Sequence, residues 1–220
     1  MHKTIENLQE IETMIKHISQ NVNKLKKIQV IAVSKTFKIN DIIPLLDHGH
    51  VNFGENKVQE ALEKWSNIKG KYTNLLLHMI GGLQTNKVKQ AVSLFDYIHS
   101  VDSTKLAKKI SEEQKKLNRN LKLFIQLNIG NEIKKKGIQY SELRDFKDYC
   151  VNDLNLNIIG LMCIPPINSD PKEIFSKMKI YNDELGLTEL SMGMSSDYLE
   201  ASKNGATFVR IGSKIFGNRS

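Results

Sequence analysis

The chain has 220 residues, of which 32 are Lys or Arg and 24 are Asp or Glu, so its formal net charge is +8 at pH 7. A hydrophobic content of 40% is that of a globular protein, and no apolar run approaches the roughly 20 residues that would span a membrane. Only four of the basic residues are arginine and the lysines are scattered, which argues against a nucleic-acid partner, because phosphate clamping and base readout favour arginine with aromatic stacking.

The first predicted element is a long amphipathic helix over residues 4–26. Its apolar residues recur at steps of three and four, which gathers them on one helical face and leaves the charged residues on the other. The residues of this face are Ile5, Leu8, Ile11, Ile15, Ile18, Val22 and Leu25. The helix precedes the repeating part of the chain, so we expect it to cover a surface that the repeats leave open.

Short apolar runs then alternate with helical patterns eight times. Each run is rich in Val, Ile or Leu and is too short for a helix, which predicts a strand buried on both faces. The predicted strands cover residues 28–35, 50–53, 75–80, 97–101, 121–129, 158–164, 190–192 and 207–211. Such alternation is typical of parallel βα units, and eight units close a barrel. We therefore predict an α/β fold, a (β/α)8 TIM-type barrel with an extra N-terminal helix, in one domain over residues 1–220. An open doubly wound sheet is the alternative.

Capping residues predict where two of the intervening helices begin. Asn40 is a good N-cap for the helix after the first strand. Asp102 and Ser103 are alternative N-caps for the helix after the fourth strand. No full helix follows the eighth strand, so the long N-terminal helix is expected to fill that place.

The first strand ends on a lysine. Lys35 follows a run of apolar residues directly, so its amine is expected to lie partly out of water. Desolvation disfavours the ammonium and leaves more of the neutral, nucleophilic amine that imine formation with an aldehyde requires. Taken alone, Lys35 is explained better as a surface lysine whose amine extends from the strand end into solvent.

Turns rich in glycine and serine follow the last two strands. They are Ser191–Ser196 and Arg210–Ser213. In a barrel of this type the active site lies at the C-terminal ends of the strands, and the loops after strands seven and eight often hold a phosphate. Backbone N–H groups at a glycine turn and serine hydroxyls suit an anion. Opposite Lys35, the two turns predict a site for a phosphorylated aldehyde, either pyridoxal phosphate or a sugar phosphate.

Other polar residues have simpler interpretations. Arg210 either contacts the ligand or forms a salt bridge to Glu55 or Asp102, and His78 is expected to be a hydrogen-bonded residue of the barrel wall. The histidines lack the spacing of metal ligands, no serine or cysteine sits in a nucleophile elbow, and two cysteines are too few for a disulfide framework. The N-terminus lacks the apolar core of a signal peptide, so the predicted location is the cytoplasm.

Six segments, spread over nearly the whole chain, carry motifs that occur in the same order in one known family. They are Ala32–Thr36, Phe53–Glu60, Ile80–Lys87, Gly160–Pro165, Ser191–Ser195 and Val209–Gly217. Together they resemble the pyridoxal phosphate homeostasis protein family. Its members are single barrels similar to the N-terminal domain of alanine racemase, and they carry pyridoxal phosphate without established catalysis.

The resemblance implies how the cofactor would be attached. Lys35 would hold pyridoxal 5′-phosphate as a reversible imine. Ser195, Gly212 and Ser213 would hold its phosphate. These assignments agree with the aldehyde and phosphate sites expected from the residues themselves.

The resemblance also implies the surroundings of the ring. Arg210 would face the pyridine nitrogen, while Asn56 and Met192 would lie beside the ring. An arginine there disfavours protonation of that nitrogen and weakens the cofactor as an electron sink. Racemisation also needs a proton donor on each face, and Lys35 serves only one. We therefore predict a carrier without catalytic residues. It would bind pyridoxal phosphate reversibly, give it to PLP-dependent apoenzymes and take part in vitamin B6 homeostasis. A PLP-dependent racemase or lyase is the alternative.

Overall fold

Eight parallel strands close into a barrel in which each strand pairs with the next and the last pairs with the first. The computed structural model describes residues 2–21, 27–130, 132 and 135–217. The strands are β1 (Gln29–Val33), β2 (Asn52–Glu55), β3 (Leu76–Met79), β4 (Tyr97–Val101), β5 (Lys122–Gln126), β6 (Ile158–Met162), β7 (Glu189–Ser191) and β8 (Phe208–Ile211). The predicted barrel is confirmed, and the alternative of an open doubly wound sheet is wrong.

Helices connect the strands on the outside of the barrel. They are α1 (Lys3–Asn21), α2 (Ile39–Asp47), α3 (Val58–Trp65), α4 (Val88–Leu94), α5 (Thr104–Leu117), α6 (Leu143–Asp148), α7 (Pro171–Glu184), α8 (Tyr198–Lys203) and α9 (Ser213–Phe216). Short 3-10 turns precede α4 and α6, and a π-helical turn over Tyr149–Asp153 follows α6. None of the described helices combines the length and the apolar character that crossing a membrane requires.

The N-terminal helix α1 covers the side of the barrel where the chain ends. It packs against α8 and α9, and its residues Leu8, Ile11 and Ile15 are buried. Because α9 is only four residues long, β8 has no full-length helix of its own, and α1 takes that place. Val22 and Leu25, which we predicted for the same apolar face, lie outside the described residues.

Side-chain hydrogen bonds set the first residues of two helices. Lys38 N–H donates to Asp41 Oδ2 at 3.1 Å, so α2 begins after Lys38 and the prediction of Asn40 as N-cap is wrong. The carboxylate of Asp41 reaches back along the chain and fixes the earlier start. For α5, Ser103 is the N-cap, because its hydroxyl accepts a hydrogen bond from the N–H of Leu106.

The apolar core has two parts. The larger part lies between strands and helices, and the smaller part lies inside the barrel. The buried residues of the smaller part are Ile31, Tyr97, Phe124, Met162 and Phe208. Successive side chains of a strand point to opposite faces, so β1, β4, β5, β6 and β8 supply residues to both parts. The buried histidines lie beside this smaller part: His78 stacks on Tyr97 and His99 stacks on Phe124.

Candidate functional site

A cavity of about 600 Å³ opens at the C-terminal ends of the strands. Loops after β1, β2, β7 and β8 contribute to its lining. Six of the seven predicted site residues are among the lining residues: Lys35, Asn56, Ser195, Arg210, Gly212 and Ser213. Barrel closure brings them together, because β1 pairs with β2 on one side and with β8 on the other.

Met192, the seventh predicted site residue, lies elsewhere. It is fully buried in the core shared by strands and helices and is not a lining residue of the cavity. Ser191 at the end of β7 bonds to groups inside the barrel, so the next side chain points to the opposite face. Met194, two residues further on, lines the cavity. Of the two methionines in this loop, Met194 therefore lines the cavity and Met192 does not.

The loops after β7 and β8 are held together by backbone contacts. Arg210 N–H donates to the carbonyl of Gly193 at 2.9 Å. Gly193 has a φ of +90°, and a Cβ there would lie 2.5 Å from the Cβ of Ala201, so both the conformation and the space require glycine. Met194 N–H donates to Asp197 Oδ1 at 2.6 Å. The serine-rich edge of the cavity is thus a fixed turn.

The loop after β2 is fixed by an equally close approach. A Cβ on Gly81 would lie 2.3 Å from the carbonyl oxygen of Asn56 and 2.8 Å from its Cα. Only a glycine allows the loop after β3 to pack directly on the Asn56 backbone. Asn56 is therefore held at the edge of the cavity by the neighbouring loop.

Arg210 is buried at the bottom of the cavity, with 5% of its surface exposed. Its Nη1 donates to Ser191 Oγ at 2.7 Å and its Nη2 donates to the carbonyl of Cys163 at 2.8 Å. Burial lowers the pKa of Arg210 from its usual value, yet a guanidinium remains charged in proteins. Its described contacts do not include an ion pair with Glu55 or Asp102, so that predicted alternative is wrong.

A chain of hydrogen bonds leads from Ser191 down through the barrel. Ser191 Oγ lies 2.8 Å from His99 Nδ1, and His99 Nε2 lies 3.0 Å from His78 Nδ1. His78 Nε2 lies 3.0 Å from Asn52 Oδ1, and Asn52 Nδ2 donates to Gln29 Oε1 at 3.2 Å. Both nitrogens of His78 have partners, in agreement with its predicted place in the barrel wall. The sequence analysis gave Ser191 only as part of the turn after the seventh strand, and it did not identify His99, Asn52 or Gln29.

Burial keeps both histidines of this chain neutral. It lowers the pKa of His78 to about 3 and the pKa of His99 well below its usual value. Each ring therefore carries one N–H, and one nitrogen must accept. Since His78 donates to the Asn52 oxygen, its Nδ1 accepts from His99 Nε2. His99 Nδ1 then accepts from the hydroxyl of Ser191, whose oxygen accepts from Arg210. Every hydrogen bond points away from the cavity.

The described residues hold no group of three or more His, Cys, Asp or Glu side chains that could bind a metal ion. Both cysteines are free and buried, and burial raises the pKa of each thiol to about 12. A buried thiol with a raised pKa is a poor nucleophile and a poor ligand. The polar groups that line the cavity include the amine of Lys35, the guanidinium of Arg210 and the hydroxyls of the serine turns.

Comparisons with known proteins give a consistent result. The profile of the family described as "Alanine racemase, N-terminal domain" matches residues 7–220. The pyridoxal phosphate homeostasis protein of Pasteurella multocida is 36% identical, and the match covers 98% of each chain. The structure of PipY from Synechococcus elongatus with PLP bound has a TM-score of 0.80 and 34% identity, and the match covers 93% of this chain and 100% of that one.

A more distant likeness shows the fold alone. The alanine racemase of Clostridium difficile has a TM-score of 0.72 and 17% identity. The match covers 99% of this chain and 57% of the racemase chain. Shared architecture at this identity does not carry an activity, because one fold hosts many functions.

Proposed function

Because the chain belongs to the pyridoxal phosphate homeostasis protein family, we propose that it binds pyridoxal 5′-phosphate in the cavity above its barrel and takes part in vitamin B6 homeostasis. One observation carries this proposal: Lys35 lines the same cavity as the serine and glycine turns after β7 and β8. The binding domain is proposed to comprise residues 1–220, and its place of action is the cytoplasm.

The cavity fits a phosphorylated aromatic aldehyde. Its volume of about 600 Å³ is within the range of small-ligand pockets. The hydroxyls of Ser195 and Ser213, together with the Gly212 turn, offer donors to a phosphate. The apolar side chains of Phe37 and Ile80 also line the cavity and suit the face of a ring. An anion site and an apolar wall therefore lie within reach of one ligand.

Lys35 is the group that would capture the aldehyde. When its amine has lost its proton, the nitrogen attacks the aldehyde carbon, a C–N bond forms and the carbonyl oxygen leaves as water. Water reverses the reaction by attacking the imine carbon and restoring the amine. Capture and release of the cofactor thus need no further reactant.

Arg210 favours storage of the cofactor over catalysis with it. We propose that its guanidinium faces the pyridine nitrogen, as the resemblance implies, with Asn56 beside the ring and the side chain of Met194 in the place we had expected for Met192. A guanidinium cannot accept a proton, and its positive charge disfavours protonation of a neighbouring nitrogen. The bound cofactor would then be a poor electron sink, which agrees with relatives named as homeostasis proteins.

The experiment is an absorbance measurement on the purified protein mixed with pyridoxal 5′-phosphate. We expect a visible imine band, and mass spectrometry after borohydride reduction should find the cofactor on Lys35. Lys35→Ala should lose the band. Lys38→Ala is the control, since Lys38 is an exposed lysine three residues away. A Lys35→Ala protein with an unchanged band would contradict the proposal.

We further propose that the carrier gives the cofactor to PLP-dependent apoenzymes. The exposed side chain of Ile164 lies at the edge of the cavity, with 45% of its surface accessible, so the ligand has a route to solvent. A second experiment tests this transfer. Protein loaded with pyridoxal 5′-phosphate should restore activity to a purified PLP-dependent apoenzyme. Loaded protein reduced with borohydride should not, because its cofactor can no longer leave.

A further inference from the structure

Side chains of β2 and α3 hold the turn that carries Lys35 from both sides. Lys64 Nζ donates to the carbonyl oxygen of Ser34 at 2.8 Å. Thr36 N–H donates to Glu60 Oε1 at 2.5 Å. These two backbone groups stand immediately before and after Lys35 in the chain. The position of the Lys35 backbone is therefore set by charged groups on a different βα unit.

Lys64 joins these contacts into one cluster. Its Nζ also lies 2.9 Å from Glu55 Oε1 and 3.1 Å from Glu60 Oε1, so its three N–H donors meet three acceptors. Only 8% of the Lys64 side chain is exposed, and Glu55 is fully buried. Ser34 Oγ and Trp65 Nε1 donate to the same Glu55 oxygen at 2.8 and 3.0 Å. Hydrogen bonds that involve charged groups are stronger than neutral ones, and burial limits their screening.

The backbone beside Lys35 needs such support. Thr36 has a φ of +69°, which is unusual for a β-branched residue. Residues in sparsely populated conformations persist where the surrounding structure over-determines them. Burial by itself would raise the pKa of Glu60, but the hydrogen bonds from Thr36 and Lys64 outweigh it and lower that pKa. Glu60 is therefore an anion at neutral pH and can hold the strained turn.

We propose that Lys64 and Glu60 are positioning residues, which fix the backbone of Lys35 so that its amine meets an aldehyde whose phosphate lies on the serine turns. The inference rests on the proposed function and extends it to residues outside the cavity, since neither Lys64 nor Glu60 is among the lining residues. The inference distinguishes capture of the aldehyde by Lys35 from recognition of the ring and the phosphate. Capture of the aldehyde depends on the cluster, whereas recognition of ring and phosphate does not.

The test compares two ligands on two variants of α3. Glu60→Gln removes the charge that accepts from Thr36 and leaves the Lys64–Glu55 pair in place. Glu63→Gln is the matched control, because Glu63 is an exposed residue of the same helix whose described partner is Gln59. The ligands are pyridoxal 5′-phosphate and pyridoxine 5′-phosphate, which has an alcohol in place of the aldehyde and forms no imine.

Glu60→Gln should weaken binding of pyridoxal 5′-phosphate about tenfold, the order expected when one charge-assisted hydrogen bond is lost, and slow the appearance of the imine band. Its affinity for pyridoxine 5′-phosphate should equal that of the unmodified chain. Glu63→Gln should change neither. Glu60→Asp, which keeps the charge and shortens the reach, should give the same separation of ligands if Glu60→Gln folds poorly.

Two results would overturn the inference alone: a Glu60→Gln protein that captures the aldehyde as Glu63→Gln does, or one that loses both ligands to the same extent. The second would mean that α3 supports the whole cavity rather than the amine. An unmodified chain that forms no imine would overturn the proposed function, and the inference with it.

Discussion

At the scale of single residues, polar side chains inside the barrel form a chain of hydrogen bonds in which every donor points the same way, from Arg210 toward Asn52. Arg210 can only donate, and it donates to Ser191. Ser191 then donates to His99, His99 to His78, and His78 to Asn52. Buried polar groups that are fully paired stabilise a unique arrangement. The guanidinium is thereby held at the bottom of the cavity by a hydroxyl and a backbone carbonyl.

This chain of donors fixes the tautomers of two rings. Both His78 and His99 should carry their proton on Nε2 at pH 7. Long-range proton–nitrogen NMR spectra distinguish the two ring nitrogens, and the exposed His17 supplies a reference signal. Ser191→Ala removes the donor to His99 Nδ1, so the His99 nitrogen signals should shift. A proton found on Nδ1 of either buried ring would contradict the assigned direction.

The residue scale also shows what the sequence could not predict. Lys35, Ser195 and Arg210 could be identified because charged or small polar residues at the ends of apolar runs are conspicuous. That Met192 points away from the cavity could not be predicted, because the face of a side chain just beyond a three-residue strand depends on where that strand ends. The bond between His99 and Ser191 was not predicted, because a buried polar residue in a short strand looks the same whether or not its partner lies across the barrel.

At the scale of elements, most strands and helices could be predicted from periodicity, and the errors lie at element ends. The run over 121–129 predicts a longer strand than β5, which ends at Gln126; beyond it, Leu127 forms an isolated bridge with Ile138. The π-helical turn at Tyr149–Asp153 was not predicted, because a single wide turn leaves no periodic signal. Local hydrogen bonds and tertiary contacts decide such ends.

A substitution in helix α1 tests whether this helix covers the core of the barrel. Ile11 is buried with 4% of its surface exposed, on the face that packs against α8 and α9. Ile11→Ala should lower the free energy of unfolding by about 2–4 kcal/mol, through lost burial and the cavity left behind. Denaturation in urea measures the change. The neighbouring Glu12 is exposed, so Glu12→Ala should have little effect, and equal losses in both variants would show that α1 does not cover the core as described.

At the scale of the whole molecule, the count of βα units predicted the barrel, but periodicity could not predict its closure. Closure depends on the pairing of β8 with β1, in which Arg210 lies opposite Ile31. These residues are far apart in sequence, and the pairing carries no local signal. The same closure assembles the cavity, so the list of site residues could be predicted while their distances and hydrogen-bond partners could not.

Because the barrel excludes water from its histidines, folding stability should depend on pH. The pKa of His78 is about 3 in the folded protein because of burial, against about 6.5 in an unfolded chain. Between these values the unfolded state binds more protons, so stability is full above pH 6.5 and falls as the pH decreases. From pH 7 to pH 5, His78 alone should lower the free energy of unfolding by about 2 kcal/mol, and His99 should add to this.

Urea denaturation at pH 7 and pH 5 measures this loss. The interval lies above the usual pKa range of carboxylates, so histidines dominate it. His17→Gln, a change at an exposed residue of α1, is the control variant. Equal stability at both pH values would contradict the neutral, desolvated state of the two buried rings.

Barrel closure has one more consequence, for synthesis of the protein. The amine of the cavity comes from the first βα unit, at Lys35, and the serine and glycine turns that we propose bind the phosphate come from the last two, up to Ser213. A nascent chain on the ribosome therefore has no complete cavity until the residues up to Ser213 have emerged. Truncated translation products lack one side of it, so they would not sequester a scarce vitamin from the enzymes that need it.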